Sequence, residues 1–260
     1  MAGNDDVAVE VLENGVALVE VRRPPNNFFD AGLIQRLATA FDELDARPDA
    51  RAIVLAAEGK HFCAGADFAG ESDAAEVSAD EGARTLYAAA AQLFGNELPV
   101  VAAVQGAAIG GGLGLAMMAD FRVASAESRF AANFARLGFH QGFGLSVTLP
   151  RVVGPQRAAE LLMTGRRIGG TEAERIGLVD RLVSADGIRS AAMSFAGELA
   201  ASAPLAVRSI RKTLRGDLAE QVRAITDHER GEQAWLRETE DFAEGISASS
   251  QRREPVFQAR

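Results

Sequence analysis

The sequence predicts an α/β protein, with parallel strands in its first half and helices in its second. Three observations lead there. Residues 52–57 and 100–104 are apolar runs of strand length, each preceded by an amphipathic stretch; a hairpin signature stands at the start; and beyond residue 145 the apolar residues recur with helical period between glycine and proline breaks. Strands that alternate with helices form parallel sheets covered by those helices, with functional groups at the strands' carboxyl ends.

Taken in order, residues 7–12 and 16–21 alternate apolar side chains around Glu13-Asn14-Gly15, and Asn-Gly suits the tight primed turn of a hairpin. Asp30 can cap a helix in which Leu33, Ile34, Leu37, Phe41 and Leu44 share one face. A buried strand follows at 52–57. Leu86, Ala90, Leu93 and Phe94 mark the next amphipathic helix, closed before Pro99, and residues 100–104 form a second buried strand. Helices are then expected over 145–153, 156–164, 171–176, 190–202 and 205–236, punctuated by Gly165, Gly177 and Pro204. The chain thus divides into a core, 1–199, and a helical C-terminal region, 200–260. Residues 70–81, acidic and poor in large apolar side chains, read as a mobile loop placed to cover a ligand.

Composition excludes several classes. With 260 residues, 48% of them hydrophobic, the chain can bury a sizeable core. A net charge of −9 argues against nucleic-acid binding. Cys63 is the single cysteine, so no intrachain disulfide forms, and Met1-Ala2-Gly3-Asn4-Asp5-Asp6 lacks the basic and apolar parts of a signal peptide; a cytoplasmic location is expected. The apolar stretch 100–118 is interrupted by Gln105 and several glycines, so no membrane span is expected. Three scattered histidines and one cysteine give no metal-ligand spacing.

Two loops carry the chemistry. Lys60-His61-Phe62-Cys63-Ala64-Gly65-Ala66-Asp67 follows the first buried strand, and Gly106 through Gly114, containing Gly110-Gly111-Gly112, follows the second. Each leads toward a helix-like segment, so free N–H groups backed by a positive helix end would converge on one point. Two such donors, held at about 2.7–3.1 Å from a developing oxyanion, stabilise an enolate. A dinucleotide fingerprint is the rival reading of the second loop, but Leu115 stands where its third glycine belongs. No Gly-Lys-Ser/Thr phosphate loop occurs.

Phe62-Cys63-Ala64-Gly65-Ala66-Asp67 and Val104-Gln105-Gly106-(x)3-Gly110-Gly111-Gly112-(x)2-Leu115-Ala116 resemble the two signatures of the enoyl-CoA hydratase/isomerase (crotonase) family. The resemblance runs nearly end to end, through Arg23-Pro24 with Asn26, Ala119-Asp120, Leu137-Gly138, Leu162-(x)1-Thr164-Gly165, Ala173-(x)3-Gly177-Leu178-Val179 and a basic tail with Phe257. It implies a crotonase-like (ClpP/crotonase) β-β-α spiral core with a helical C-terminal trimerisation region, assembled as a homotrimer or a dimer of trimers. It also implies an acyl-CoA thioester as substrate, no covalently bound cofactor, and Ala66 and Gly111 as the oxyanion N–H donors. The coenzyme A adenine would lie along Ala64, Ala66, Asp67 and Phe68. Arg22, Arg23 and the tail residues Arg252 and Arg253 are candidates for its phosphates, the last two reaching a neighbouring subunit.

The chain departs from the family at the general acid and base. Relatives use two glutamates to position and deprotonate water; here Gly114 and Phe134 hold those positions, and the alternative isomerase position holds Gly142. Neither glycine nor phenylalanine transfers a proton. His140 is the candidate base, from its place in the loop Leu137-Gly138-Phe139-His140-Gln141-Gly142-Phe143-Gly144 and its unperturbed pKa near 6.5. Glu71 and Asp30 stand next in line, Gln141 and Asn133 could orient a water, and Cys63 and His61 are read as packing or edge residues. Three functions follow: a lyase or isomerase with weak crotonyl-CoA hydration, a crotonase-fold hydrolase or decarboxylase, and a non-catalytic acyl-CoA-binding subunit.

Overall fold

The computed structural model describes residues 6–66 and 76–260. Strands β1 (Val7–Val11) and β2 (Val16–Val21) form the expected hairpin with Val9 opposite Val19, but its connection is a three-residue loop, Glu13 to Gly15, in which Gly15 alone takes positive φ, and not the primed Asn-Gly turn the sequence suggests. Its turn closes because Gly15, at φ +81°, donates to Leu12 O at 2.9 Å while Asn14 Oδ1 accepts from Val16 N at 3.1 Å. Helix α1 (Ala31–Asp45) begins where Asp30 accepts from Leu33 N at 2.7 Å, and buries Leu33, Ile34, Leu37, Phe41 and Leu44. Next come β3 (Ala52–Ala57), α2 (Glu76–Phe94), β4 (Val100–Val104), β5 (Ala107–Ile109), α3 (Gly111–Met118), β6 (Phe121–Ser125) and β7 (Arg129–Ala131). A 3-10 turn, Asn133–Leu137, leads to α4 (Leu145–Val153), α5 (Pro155–Thr164), β8 (Ile168–Gly169), α6 (Gly170–Arg175), β9 (Arg181–Val183) and α7 (Ile188–Ala200). The chain ends in α8 (Pro204–Arg215), α9 (Leu218–Leu236) and α10 (Glu240–Gln251).

The larger sheet runs β1-β2-β3-β4-β6-β9 and is parallel from β2 onward; β5, β7 and β8 make a smaller sheet. Both faces of the larger sheet are covered, which is why residues 52–57 are apolar without alternation. Ile53 and Leu55 enter the main core with α1 and α2, whereas Ala52, Val54 and Ala56 pack with Ile188, Ala192, Ala196 and Ala200 of α7. This is the α/β core of parallel strands covered by helices that the sequence predicts. No helix among the described residues is long and apolar enough to cross a membrane.

Two further expectations are corrected. The helix expected over 205–236 is two helices, because Gly216 at φ +57° breaks it between α8 and α9. Of the expected mobile loop, residues 70–75 lie outside the described residues, and from Glu76 onward the chain is already helix α2. The C-terminal helices pack back onto their own core: α9 lies against α2 and α4, and α10 against the Asn133–Leu137 turn.

Candidate active site

The segment after β3 runs alongside β5. Phe62 N donates to Gln105 O, Cys63 N to Ala107 O and Ile109 N to Cys63 O, at 2.9, 2.9 and 3.1 Å. Gly65, at φ +97°, then turns the chain, a conformation that only glycine adopts readily. Its carbonyl accepts from Phe29 N at 3.1 Å. In a trans peptide the N–H points opposite to the C=O, so the Ala66 N–H is directed away from the Phe29 N–H that the Gly65 carbonyl accepts; Ala64, Gly65 and Ala66 all line one cavity.

The second loop makes a matching donor. Gly110 takes φ 56° and ψ −122°, donates to Ala131 O at 2.8 Å, and presents its carbonyl to Leu113 N and Gly114 N at 3.0 and 3.2 Å. The Gly111 N–H of the same peptide is the first of α3; it has no intrahelical acceptor and leaves from the positive end of the helix. The two loops dock closely: a Cβ on Gly112 would lie 2.2 Å from Cys63 O, and one on Gly111 2.3 Å from Phe29 Cζ.

Ala66 and Gly111 share one cavity of about 320 Å³, walled by Phe28, Phe29, Phe134, Phe139 and Phe143. Phe29 meets Phe143 edge-on at 5.6 Å between centroids, and Phe134 meets Phe139 at 5.4 Å. The places that would carry carboxylates are filled by other groups. A Cβ on Gly114 would meet Phe143 Cβ at 2.5 Å; one on Gly142 would meet Tyr87 Oη at 2.2 Å and Gln233 Nε2 at 2.7 Å. Tyr87 donates to Gln233 Oε1 at 2.8 Å, and Gln233 Nε2 donates to His140 O at 2.9 Å. Burial pushes the Tyr87 hydroxyl strongly up, so it stays protonated.

Sequence reasoning missed Tyr87 and Gln233. Tyr87 is the only tyrosine of the chain, set among alanines of α2, and that was its one available signal. Gln233 sits in a charged stretch of α9 with nothing to mark it. Glu229, one turn before Gln233, was missed too. Its buried carboxylate accepts from Gly144 N at 2.8 Å and Ser146 N at 3.0 Å, capping α4 and fixing the loop that carries Gly142 and Phe143. Burial pushes its carboxyl up, against the pull of those Ser146 and Gly144 hydrogen bonds.

His140 is not among the described residues that line the cavity; its Nδ1 lies 2.8 Å from Gln141 O and its ring meets that of His228 edge-to-face at 5.9 Å between centroids. The loop turns inward at Gly142 and Phe143 instead. Cys63 is buried, and its thiol is pushed up to about 12, which removes the thiolate a nucleophile needs. Burial pushes Asp30 up, but hydrogen bonds from Arg23 and Leu33 N outweigh it and hold that carboxylate below its ordinary range.

Among the expected coenzyme A contacts, Ala64 and Ala66 line the cavity, while Asp67 and Phe68, like the candidate base Glu71, lie outside the described residues. Arg23 is already engaged: it donates to Asp6 at 2.7 and 2.9 Å and to Asp30 at 2.8 Å. Arg22 donates to Glu20 at 2.9 Å. Arg253 grips Glu244 through both carboxylate oxygens at 2.5 and 2.7 Å, and exposed Arg252 ends α10 in a left-handed conformation. Asp120 is structural: it accepts from Val100 N at 2.8 Å and from Arg211 Nε at 2.7 Å, tying α8 to the strand before the glycine loop.

A profile of the family described as enoyl-CoA hydratase/isomerase matches residues 12–260. A Thermus thermophilus protein provisionally named an enoyl-CoA hydratase is 36% identical over 256 residues, spanning 96% of this chain and all of that one. Carnitinyl-CoA dehydratase of Salmonella enteritidis is 32% identical over 259 residues, covering 97% of this chain and 99% of its own. Among solved structures, an enoyl-CoA hydratase/isomerase of Pseudoalteromonas atlantica superposes with a TM-score of 0.84 at 29% identity, over 97% of this chain and 100% of the other.

Proposed function

We propose, from the premise that this chain belongs to the enoyl-CoA hydratase/isomerase family and is an enzyme acting on acyl-CoA, that its cavity holds the thioester carbonyl between the N–H groups of Ala66 and Gly111 and stabilises the enolate formed from it. What supports this reading is the pair of peptides Gly65–Ala66 and Gly110–Gly111: their carbonyls are bonded to Phe29 N and to Leu113 N and Gly114 N, which leaves the opposite-facing N–H groups of two cavity-lining residues for a ligand. Charge moving from the α-carbon onto the thioester oxygen meets two fixed dipoles and the start of α3, inside an aromatic wall that keeps the local dielectric low.

Among the described residues, the cavity wall contains no Asp, Glu or His. That favours, as a second reading, an enolate generated by loss of carbon dioxide or an acyl transfer to ordered water, because neither needs the glutamate pair. Coenzyme A would run past Ala64 and Ala66 to a basic residue of a neighbouring subunit, for which exposed Arg252 is the better placed tail residue. Exposed Leu205, Ile210 and Leu214 of α8 support an assembled trimer or dimer of trimers.

A structure with a bound acyl-CoA tests the reading directly. The thioester oxygen is expected at about 2.7–3.1 Å from both nitrogens; an oxygen bound elsewhere in the cavity overturns it. Sedimentation at micromolar concentration tests the assembly, which a monomer would refute.

A further inference from the structure

Among the described residues the cavity wall carries one cation, Arg237, at the end of α9 and one helical turn beyond Gln233. Residues four apart share a helix face, so the guanidinium and the Gln233 amide lie on the same side of the cavity. The Arg237 guanidinium carbon lies 5.6 Å from the Phe139 ring centroid and 5.9 Å from that of Phe242. Among the described residues the Arg237 guanidinium donates no side-chain hydrogen bond, so its planar fork is open to a ligand. Among the described residues no carboxylate lies within ion-pair distance of it, whereas Arg22, Arg23 and Arg253 are all paired.

Beside it stands an ordered amide. Because the Tyr87 hydroxyl donates to Gln233 Oε1, the other end of that amide is Nε2; one of its hydrogens goes to His140 O, leaving a second donor. An apolar acyl chain would use neither the cation nor the free amide hydrogen. A carboxylate uses both, since a planar fork can grip its two oxygens and an amide can take a remaining lone pair.

Resting on the acyl-CoA reading above, we infer that the acyl group bound here carries a carboxylate remote from the thioester, held by Arg237 and Gln233, with Tyr87 as the residue that positions the Gln233 amide.

The test compares binding of glutaryl-, adipyl- and pimeloyl-CoA with pentanoyl-, hexanoyl- and heptanoyl-CoA by calorimetry on the full chain. At least one dicarboxylic thioester should bind about tenfold or more tighter than its neutral counterpart, with a preference that shrinks as salt rises. Arg237→Gln should abolish the preference while leaving the neutral series within about twofold, and Tyr87→Phe should reduce it, since an unoriented amide presents its donor less often. Equal affinity for the two series in the native chain overturns the inference and leaves the acyl-CoA reading standing. An equal loss in both series on Arg237→Gln also overturns it, because Arg237 would then be reading coenzyme A itself. Binding of no thioester at all overturns both.

Discussion

Phe143 occupies the space above Gly114: any side chain at position 114 would begin 2.5 Å from the Phe143 Cβ. Phe143 holds that place in a left-handed conformation, φ +61°, that costs a bulky residue energy. The loop tolerates it because Glu229 anchors the N–H groups of Gly144 and Ser146 and Phe29 meets the ring edge-on. Absence of a carboxylate at 114 is therefore a packing property of the cavity and not a single missing residue.

It follows that Gly114→Glu alone should not create hydratase activity. Overpacking of this kind costs about 1–3 kcal/mol, and the thermal midpoint should fall accordingly. Shrinking the obstacle with Phe143→Ala should recover part of that loss, giving a non-additive double-mutant cycle. Additive midpoints would show that the two positions do not compete for space.

Removal of one oxyanion donor is best done in the backbone. Replacing Ala66 by lactic acid converts its amide to an ester and deletes the N–H while keeping the methyl group. Turnover of whatever acyl-CoA proves to be the substrate should fall about 10²- to 10³-fold with little change in binding. An unchanged rate would mean that the Ala66 N–H does not face the reacting oxygen.

For His140 the geometry now predicts the opposite of what loop position suggested. A general base contributes about 10²–10⁴-fold. With the ring turned to Gln141 O and His228, His140→Ala should reduce turnover by less than about tenfold and leave the pH–rate profile in place. Loss of the basic limb in that variant would restore His140 as the base.

Glu229 gives a pH signature of stability. Its carboxyl is raised above 4.5 in the fold, chiefly by burial, so the folded chain retains a proton there that the unfolded chain has released. The stability this supplies is complete below the unfolded value and is lost as pH rises through the folded one. Urea midpoints of the native chain should decline over that window, and Glu229→Gln, which cannot titrate, should flatten the decline. The same slope in both proteins would assign it to other groups.

The parts of this protein that repeat locally were legible in its sequence. Asn14-Gly15 wrote the hairpin, Asp30 and the spaced apolar residues after it wrote α1, and the uninterrupted run 52–57 marked a strand covered on both faces. The two glycine loops were legible as a converging pair, and the family resemblance of their motifs singled out Ala66 and Gly111, which line one cavity. Sequence spacing did not reveal several other contacts between distant segments. Tyr87 of α2 meets Gln233 of α9, Glu229 of α9 caps α4, and Phe143 displaces a side chain from Gly114. Such contacts depend on which way a loop residue faces once α9 has docked, and on volumes contributed by elements far apart in the chain. Tertiary packing alone decided that Tyr87, Gln233 and Arg237 are among the described residues that line the cavity and His140 is not, because a one-residue change along a loop reverses the direction of a side chain and no local preference fixes that choice.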